Sequence, residues 1–243
     1  MSLILPKCRI QFTSEDLDFI MKVLGIDSEE AMLGLMTDEE SMDGILDDER
    51  LFRAILELPG NLNISSRLYF YALVRHVLRE NGIDDHGVAD YVAELLAVFS
   101  RMDRVRRTRA SDKRPMDYVT DMLTEMQQAD DSTRFGIQVH VGNYLLFWSG
   151  VFPWHLRHRN RFKGAPKIEF FEEVGSINYR VASSHQLAQK YDVVSIFQTL
   201  SESFQTARIA LNDLADRLVF LDNPLSSYDS LFTDGDTEGI VGP

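Results

Sequence analysis

Apolar positions in this chain recur mostly at spacings of three and four residues, the period of an amphipathic helix. Thr13-Ser14-Glu15-Asp16 offers side-chain oxygens to a helix start, and Leu17, Ile20, Met21 and Leu24 then share one face up to Gly25. The same reading predicts helices from Asp27 or Ser28 to Met36, and from Thr37 toward Leu58, where Pro59-Gly60 interrupts. Another runs from Ser65 or Ser66 to Asn81-Gly82. The next starts at Asp84 or Asp85 and carries the stripe Val88, Tyr91, Val92, Leu95, Val98, Phe99 and Met102. Pro115 opens a helix toward Gln128, and Phe135 to Phe152 is apolar on all sides, which predicts a buried central helix.

Two segments carry a different period. Lys7 to Phe12 alternates polar and apolar side chains, which predicts a short strand. In 167–182, Ile168 and Phe170 alternate, as do Ile177, Tyr179 and Val181, on either side of Val174-Gly175-Ser176. A β-hairpin and a broken helix are equal alternatives there. The clearest pattern comes last: Val193, Phe197, Leu200, Phe204, Ala207, Leu211, Leu214, Leu218 and Leu221 alternate spacings of four and three. That heptad seam predicts one helix from Ser184 to Leu221, roughly 55 Å long at 1.5 Å per residue. Its flanking positions lack paired opposite charges, which favours packing inside a bundle; a homodimer through the 193–221 helix is the alternative. The expected fold is therefore mainly α, a multi-helix bundle with a long C-terminal helix and a minor hairpin near 167–182 as the open alternative.

Composition narrows the class. The chain has 243 residues, 44% of them hydrophobic, enough to bury a core without staples. Cys8 has no partner for an internal disulfide, which fits a reducing cytoplasmic compartment and a small buried side chain. The Gly136–Trp154 stretch is interrupted by Gln138, His140, Asn143 and Pro153, so no transmembrane segment is expected. One helical domain over 1–221 is expected, with any subdivision near 108–114, followed by a flexible acidic tail at 222–243.

Charge is unevenly spread around a net of -13. Residues 1–60 hold 14 acidic and 5 basic side chains, whereas 101–114 hold 7 basic and 2 acidic. Residues 155–167 hold 5 basic side chains and none acidic, so two cationic blocks punctuate an acidic protein. The net charge disfavours non-specific nucleic-acid binding. The cationic blocks leave a protein partner or an anionic ligand as the expected partner class.

Candidate chemistry is sparse. Glu39 to Arg50 places oxygens and Gly44 partly as a calcium loop does, but Arg50 stands where the bidentate glutamate belongs, so a capped, solvated helix is expected. His155 and His158 share one helical face among Arg157, Arg159 and Arg161, which repel a cation, so no metal and no cofactor are expected. The nucleophile-elbow, phosphate-loop, dinucleotide and zinc-protease signatures are absent. Ser184 to Phe204 begins like a helix-turn-helix, with Leu187-Ala188, Tyr191, Asp192 and Val193, but Gln198 and Ser201 stand where apolar packing residues belong. The most unusual composition is Trp148, Phe152 and Trp154 ahead of Arg157, Arg159, Arg161 and Lys163. Aromatics beside cations suit an anionic ligand, a membrane surface or internal cation–π packing. The binding candidates are thus His140, Tyr144, Trp148, Trp154, Arg157, Arg159 and Arg161. The expected function is a non-catalytic interaction or regulatory module. The alternatives are a ligand-binding or enzymatic bundle with an aromatic and basic pocket, and a nucleic-acid-binding regulator.

Overall fold

Helices in this protein begin where the chain offers an oxygen to the free N–H groups of a first turn. The computed structural model describes residues 3–28, 32, 34, 38–57, 64–107, 115–152 and 167–220, with main chain alone at 39, 101–107, 115–118, 219 and 220. Among them are eleven α-helices and no strand. These are α1 (Ser14–Leu24), α2 (Glu39–Leu46), α3 (Glu49–Leu56), α4 (Ser66–Glu80), α5 (His86–Arg107), α6 (Pro115–Gln128), α7 (Asp131–Val151), α8 (Ile168–Ser183), α9 (Gln186–Lys190), α10 (Val194–Glu202) and α11 (Phe204–Phe220). Thr13 Oγ1 accepts from the Asp16 N–H at 3.3 Å, and the Asp16 carboxylate accepts in return from the Thr13 N–H at 2.8 Å. The other Asp16 oxygen accepts from the Ser65 N–H at 2.6 Å, so one fully buried carboxylate fixes the starts of both α1 and α4.

The core forms around α7, which is buried on every face, as its uniformly apolar sequence predicts. It packs on α8, α11, α6 and α5, while α4 bridges α5 and α11. Asp130 starts α7 four residues ahead of Phe135 by accepting from the Thr133 N–H at 2.8 Å.

Several elements depart from the sequence expectation, each for a physical reason. The alternating run Lys7 to Phe12 forms a 3-10 turn at Arg9–Gln11 and not a strand. No strand lies beside it; the carboxylate of Asp90 accepts its Cys8 and Arg9 N–H groups instead, at 3.3 and 2.7 Å. The helix expected from Thr37 to Leu58 is divided into α2 and α3, because Asp48 caps a new start by accepting from the Arg50 N–H at 2.8 Å. Residues 167–182 are one continuous helix, so the hairpin does not form. Gly175 makes no turn there; the ring of Phe204 lies where a β-carbon would stand. The long C-terminal rod is divided into α9, α10 and α11, broken at Asp192, which has a left-handed φ of 54°, and at Ser203. The heptad seam survives the breaks. From Val193 to Leu218 its residues are no more than 2% exposed, against α8 and α5 for α10, and against α7 and α4 for α11. Leu221, the 108–114 boundary and the 222–243 tail lie outside the described residues.

Candidate functional site

Asn143 stands in the middle of α7, only 2% exposed, between two phenols. Tyr91 from α5 donates its hydroxyl to Asn143 Oδ1 at 2.7 Å, and Tyr179 from α8 donates to the same oxygen at 2.8 Å. Burial pushes both phenols above the usual tyrosine range, so both stay protonated and remain donors. Two donors saturate the carbonyl oxygen and fix the amide in one orientation. Its Nδ2 has no hydrogen-bond partner among the described residues, and Asn143 borders a cleft of about 510 Å³. Gly142, one residue earlier, permits this arrangement, since a β-carbon there would stand 3.0 Å from the Tyr179 ring.

The cleft has three other walls. Leu3, Ile4 and Leu5 of the N-terminal segment form one, with Lys7 and Gln11 at its rim. Glu94, Val98 and Phe99 of α5 form the second, and Leu187 with Tyr191 at the end of α9 the third. On α7, Phe135, Gly136, Val139 and His140 flank Asn143. The polar groups are few and held. Both oxygens of Glu94 accept from Arg67, at 2.8 Å each. The N-terminal wall is pinned by Asp90, whose carboxyl is pushed up by burial while the Arg9 and Cys8 N–H groups hold it down. Volume, mostly apolar lining and a few convergent polar groups match the general form of a small-molecule site, roughly 300–1,000 Å³. A second void, about 20 Å³ between Phe70, Leu96, Phe147, Leu211 and Leu218, has room for about one water.

Gly136 adds a pointer. It interrupts α7 at a cost of about 1 kcal/mol relative to alanine. A β-carbon there would meet nothing within 4 Å. No packing constraint demands the glycine; what its bare position leaves open is the cleft.

The residues singled out in the sequence divide. His140, Tyr144 and Trp148 do come together, as an i, i+4 row along α7. Their ring centroids are 6.2 and 6.0 Å apart, and the row continues to Phe152 at 5.2 Å. His140 also lies 5.7 Å from Phe99 and lines the cleft, whereas Tyr144 and Trp148 do not. Trp154, Arg157, Arg159 and Arg161, and with them His155 and His158, lie outside the described residues. Asn143, Glu94, Gly136 and the N-terminal wall were missed. A signal existed for two of them: Asn143 is a polar residue inside the most apolar helix, and Glu94 lies one turn after Asp90 inside the apolar stripe of α5.

A charged network joins α2, α4 and α5 on the acidic side of the molecule. Arg75, almost fully buried, reaches Asp47 at 2.7 and 2.8 Å and Asp84 at 2.5 Å. Burial works against the charge of Arg75, but Asp47 and Asp84 outweigh it and hold its pKa above the usual arginine value. His86 Nδ1 lies 3.1 Å from both the Tyr71 hydroxyl and Asp43 Oδ1. Two carboxylates of the segment aligned with a calcium loop, Asp43 and Asp47, are therefore committed to Arg9, Arg75 and His86. Neither cavity described above reaches this network.

The helix-turn-helix segment does bend between α9 and α10, but the exposed side chains of α10 are Ser195, Gln198 and Glu202, with no cation to meet phosphate. Among the described residues, no group of three or more His, Cys, Asp or Glu is placed to hold a metal ion, and no helix is long and apolar enough to cross a membrane. No protein-family model, curated protein or solved structure matches the chain.

Proposed function

We propose that this protein is a non-catalytic binding module that holds a small, mainly apolar molecule carrying one hydrogen-bond acceptor, such as a ketone or amide carbonyl. The observation that carries the reading is Asn143: its carbonyl oxygen is saturated by Tyr91 and Tyr179, and its amide nitrogen is left to the cleft. A ligand that fills the cleft excludes water from this amide nitrogen, so a molecule lacking an acceptor would leave the donor buried and unpaired at a cost of about 1–3 kcal/mol, which selects against it. The other bordering groups are suited to holding, not reacting. Glu94 is engaged by Arg67, and the phenols are kept protonated by burial. Lys7 and His140 at the rim suit a polar or anionic end of the ligand.

Heteronuclear NMR with aryl ketones and the matching hydrocarbons tests this. The ketones are expected to shift the Asn143 side-chain amide and the Gly136 and Val139 amides, and the hydrocarbons to bind at least tenfold more weakly, as loss of one buried acceptor implies. Gly136→Leu fills the cleft, so it should abolish binding while leaving stability unchanged or raised by up to about 1 kcal/mol. Unmoved resonances, or ketone binding intact in Gly136→Leu, would sink the proposal.

A further inference from the structure

The outer face of α8 carries an apolar stripe that the described residues leave uncovered. Phe170, Ile177 and Val181 are 42, 46 and 47% exposed, three of the six large exposed hydrophobic residues among those described. Val174, partly buried, completes the row. The spacings of four, three and four keep all four on one side of the helix. Beside the row lie Glu173 and Arg180, both exposed, and neither has an ion-pair partner in its own chain among the described residues.

The row is symmetric about a point between Gly175 and Ser176. In an antiparallel pair of α8 helices with the two-fold axis at that point, Phe170 meets the second copy's Val181 and Val174 meets its Ile177. The flanking charges obey the same symmetry. Glu173 and Arg180 both occupy the position after which the next apolar residue follows directly, so they lie along the same edge of the seam. In the antiparallel pair, Glu173 falls within about 3 Å, along the axis, of the second copy's Arg180 at 1.5 Å rise per residue. Rotation by the two-fold gives the same contact again. A parallel pair would instead keep Glu173 and the second copy's Arg180 seven residues apart, about 10 Å along the axis at 1.5 Å rise per residue, and on opposite edges of the seam.

We infer that the outer face of α8 is a self-complementary surface for a second copy of this chain, packed antiparallel and closed by two Glu173–Arg180 pairs. This interface is separate from the heptad seam of α10 and α11, which is buried inside the chain. It is also independent of the cleft. Four side chains cover far less than the roughly 800 Å² per partner of a stable complex, so the association is weak and concentration-dependent.

Sedimentation velocity on the full chain from about 10 µM to about 1 mM, at low salt, reads it directly. A reversible monomer–dimer equilibrium is expected. Arg180→Glu and Glu173→Arg each bring like charges together twice and should each weaken the dimer about tenfold. The double variant Glu173→Arg/Arg180→Glu restores both pairs and should return the dimer to near its original strength. Ile177→Asp should abolish it. All three positions are exposed, and unchanged far-ultraviolet circular dichroism and melting would show the variants folded. A chain that stays monomeric at about 1 mM overturns the inference, as does a dimer indifferent to these changes. Weakening in both single variants without recovery in the double one overturns the antiparallel register.

Discussion

Truncating Asn143 to alanine would leave two phenol hydroxyls, from Tyr91 and Tyr179, buried without their acceptor. Each stranded hydroxyl costs about 1–3 kcal/mol, so Asn143→Ala is expected to lower unfolding stability by about 2–6 kcal/mol in urea titration. A loss under about 1 kcal/mol would mean that the phenols find other partners. At this scale the sequence was legible in part. Cys8 reads as a small buried side chain and is fully buried. His140 is singled out with Tyr144 and Trp148 as the lining of an aromatic and basic pocket, and it does border the cleft. Asn143, three residues later, reads from the sequence only as an interruption of an apolar stretch, because its importance lies in two tyrosines 52 and 36 residues away. Spacing along one helix cannot carry that information; only tertiary packing brings α5 and α8 to it.

At the scale of elements, the heptad seam gave the right buried residues but the wrong rod. A three–four alternation records which side chains face the core, and three short helices following the same surface satisfy it as well as one long helix. The break is held by Asp192, a non-glycine residue at φ 54°. Left-handed backbone costs an L-residue about 1 kcal/mol, which aspartate tolerates better than most. Asp192→Gly should therefore stabilise the protein by about 0.5–1 kcal/mol, and Asp192→Ala should destabilise it by about 1 kcal/mol in thermal unfolding. The opposite order would mean that the turn is set by contacts of the Asp192 side chain. The 167–182 helix teaches a related lesson. Gly175 resembled a turn signal, yet it is there because the ring of Phe204 needs the space.

Across the whole molecule, the uneven charge of the sequence resolves partly into buried networks. His76 stacks on Phe52 with centroids 3.5 Å apart, and burial chiefly pushes its pKa down, against the pull of Glu80 and Glu49. His86 is lowered likewise, by burial first and then by Arg75, while Asp43 and Asp47 oppose. Both native values lie below the unfolded one, so the fold favours the neutral rings. The stability this contributes is present above about pH 6.5 and is lost as pH falls through the native values. Asp47 follows the same direction in a more acidic window. Burial raises its pKa, but Arg75, His86 and Arg79 outweigh that and leave it below the usual aspartate range. The urea midpoint is expected to fall between about pH 7.5 and 5.5, and the double variant His76→Gln/His86→Gln to flatten that slope. A midpoint that rises on acidification would show that relief of the buried Asp90 carboxylate dominates, since its native value is raised.

The N-terminal wall of the cleft is attached chiefly through one carboxylate, Asp90, and through the Cys8 thiol, which donates to the Arg67 carbonyl at 3.4 Å. If the cleft holds the proposed guest, that guest would rest against Leu3, Ile4 and Leu5. By thermodynamic reciprocity, whatever fastens residues 3–10 would then tighten such a guest to the same degree. The chain's single thiol, Cys8, sits in that same segment, fully buried and pushed well above the ordinary cysteine range by burial, so it stays protonated and unreactive in this fold.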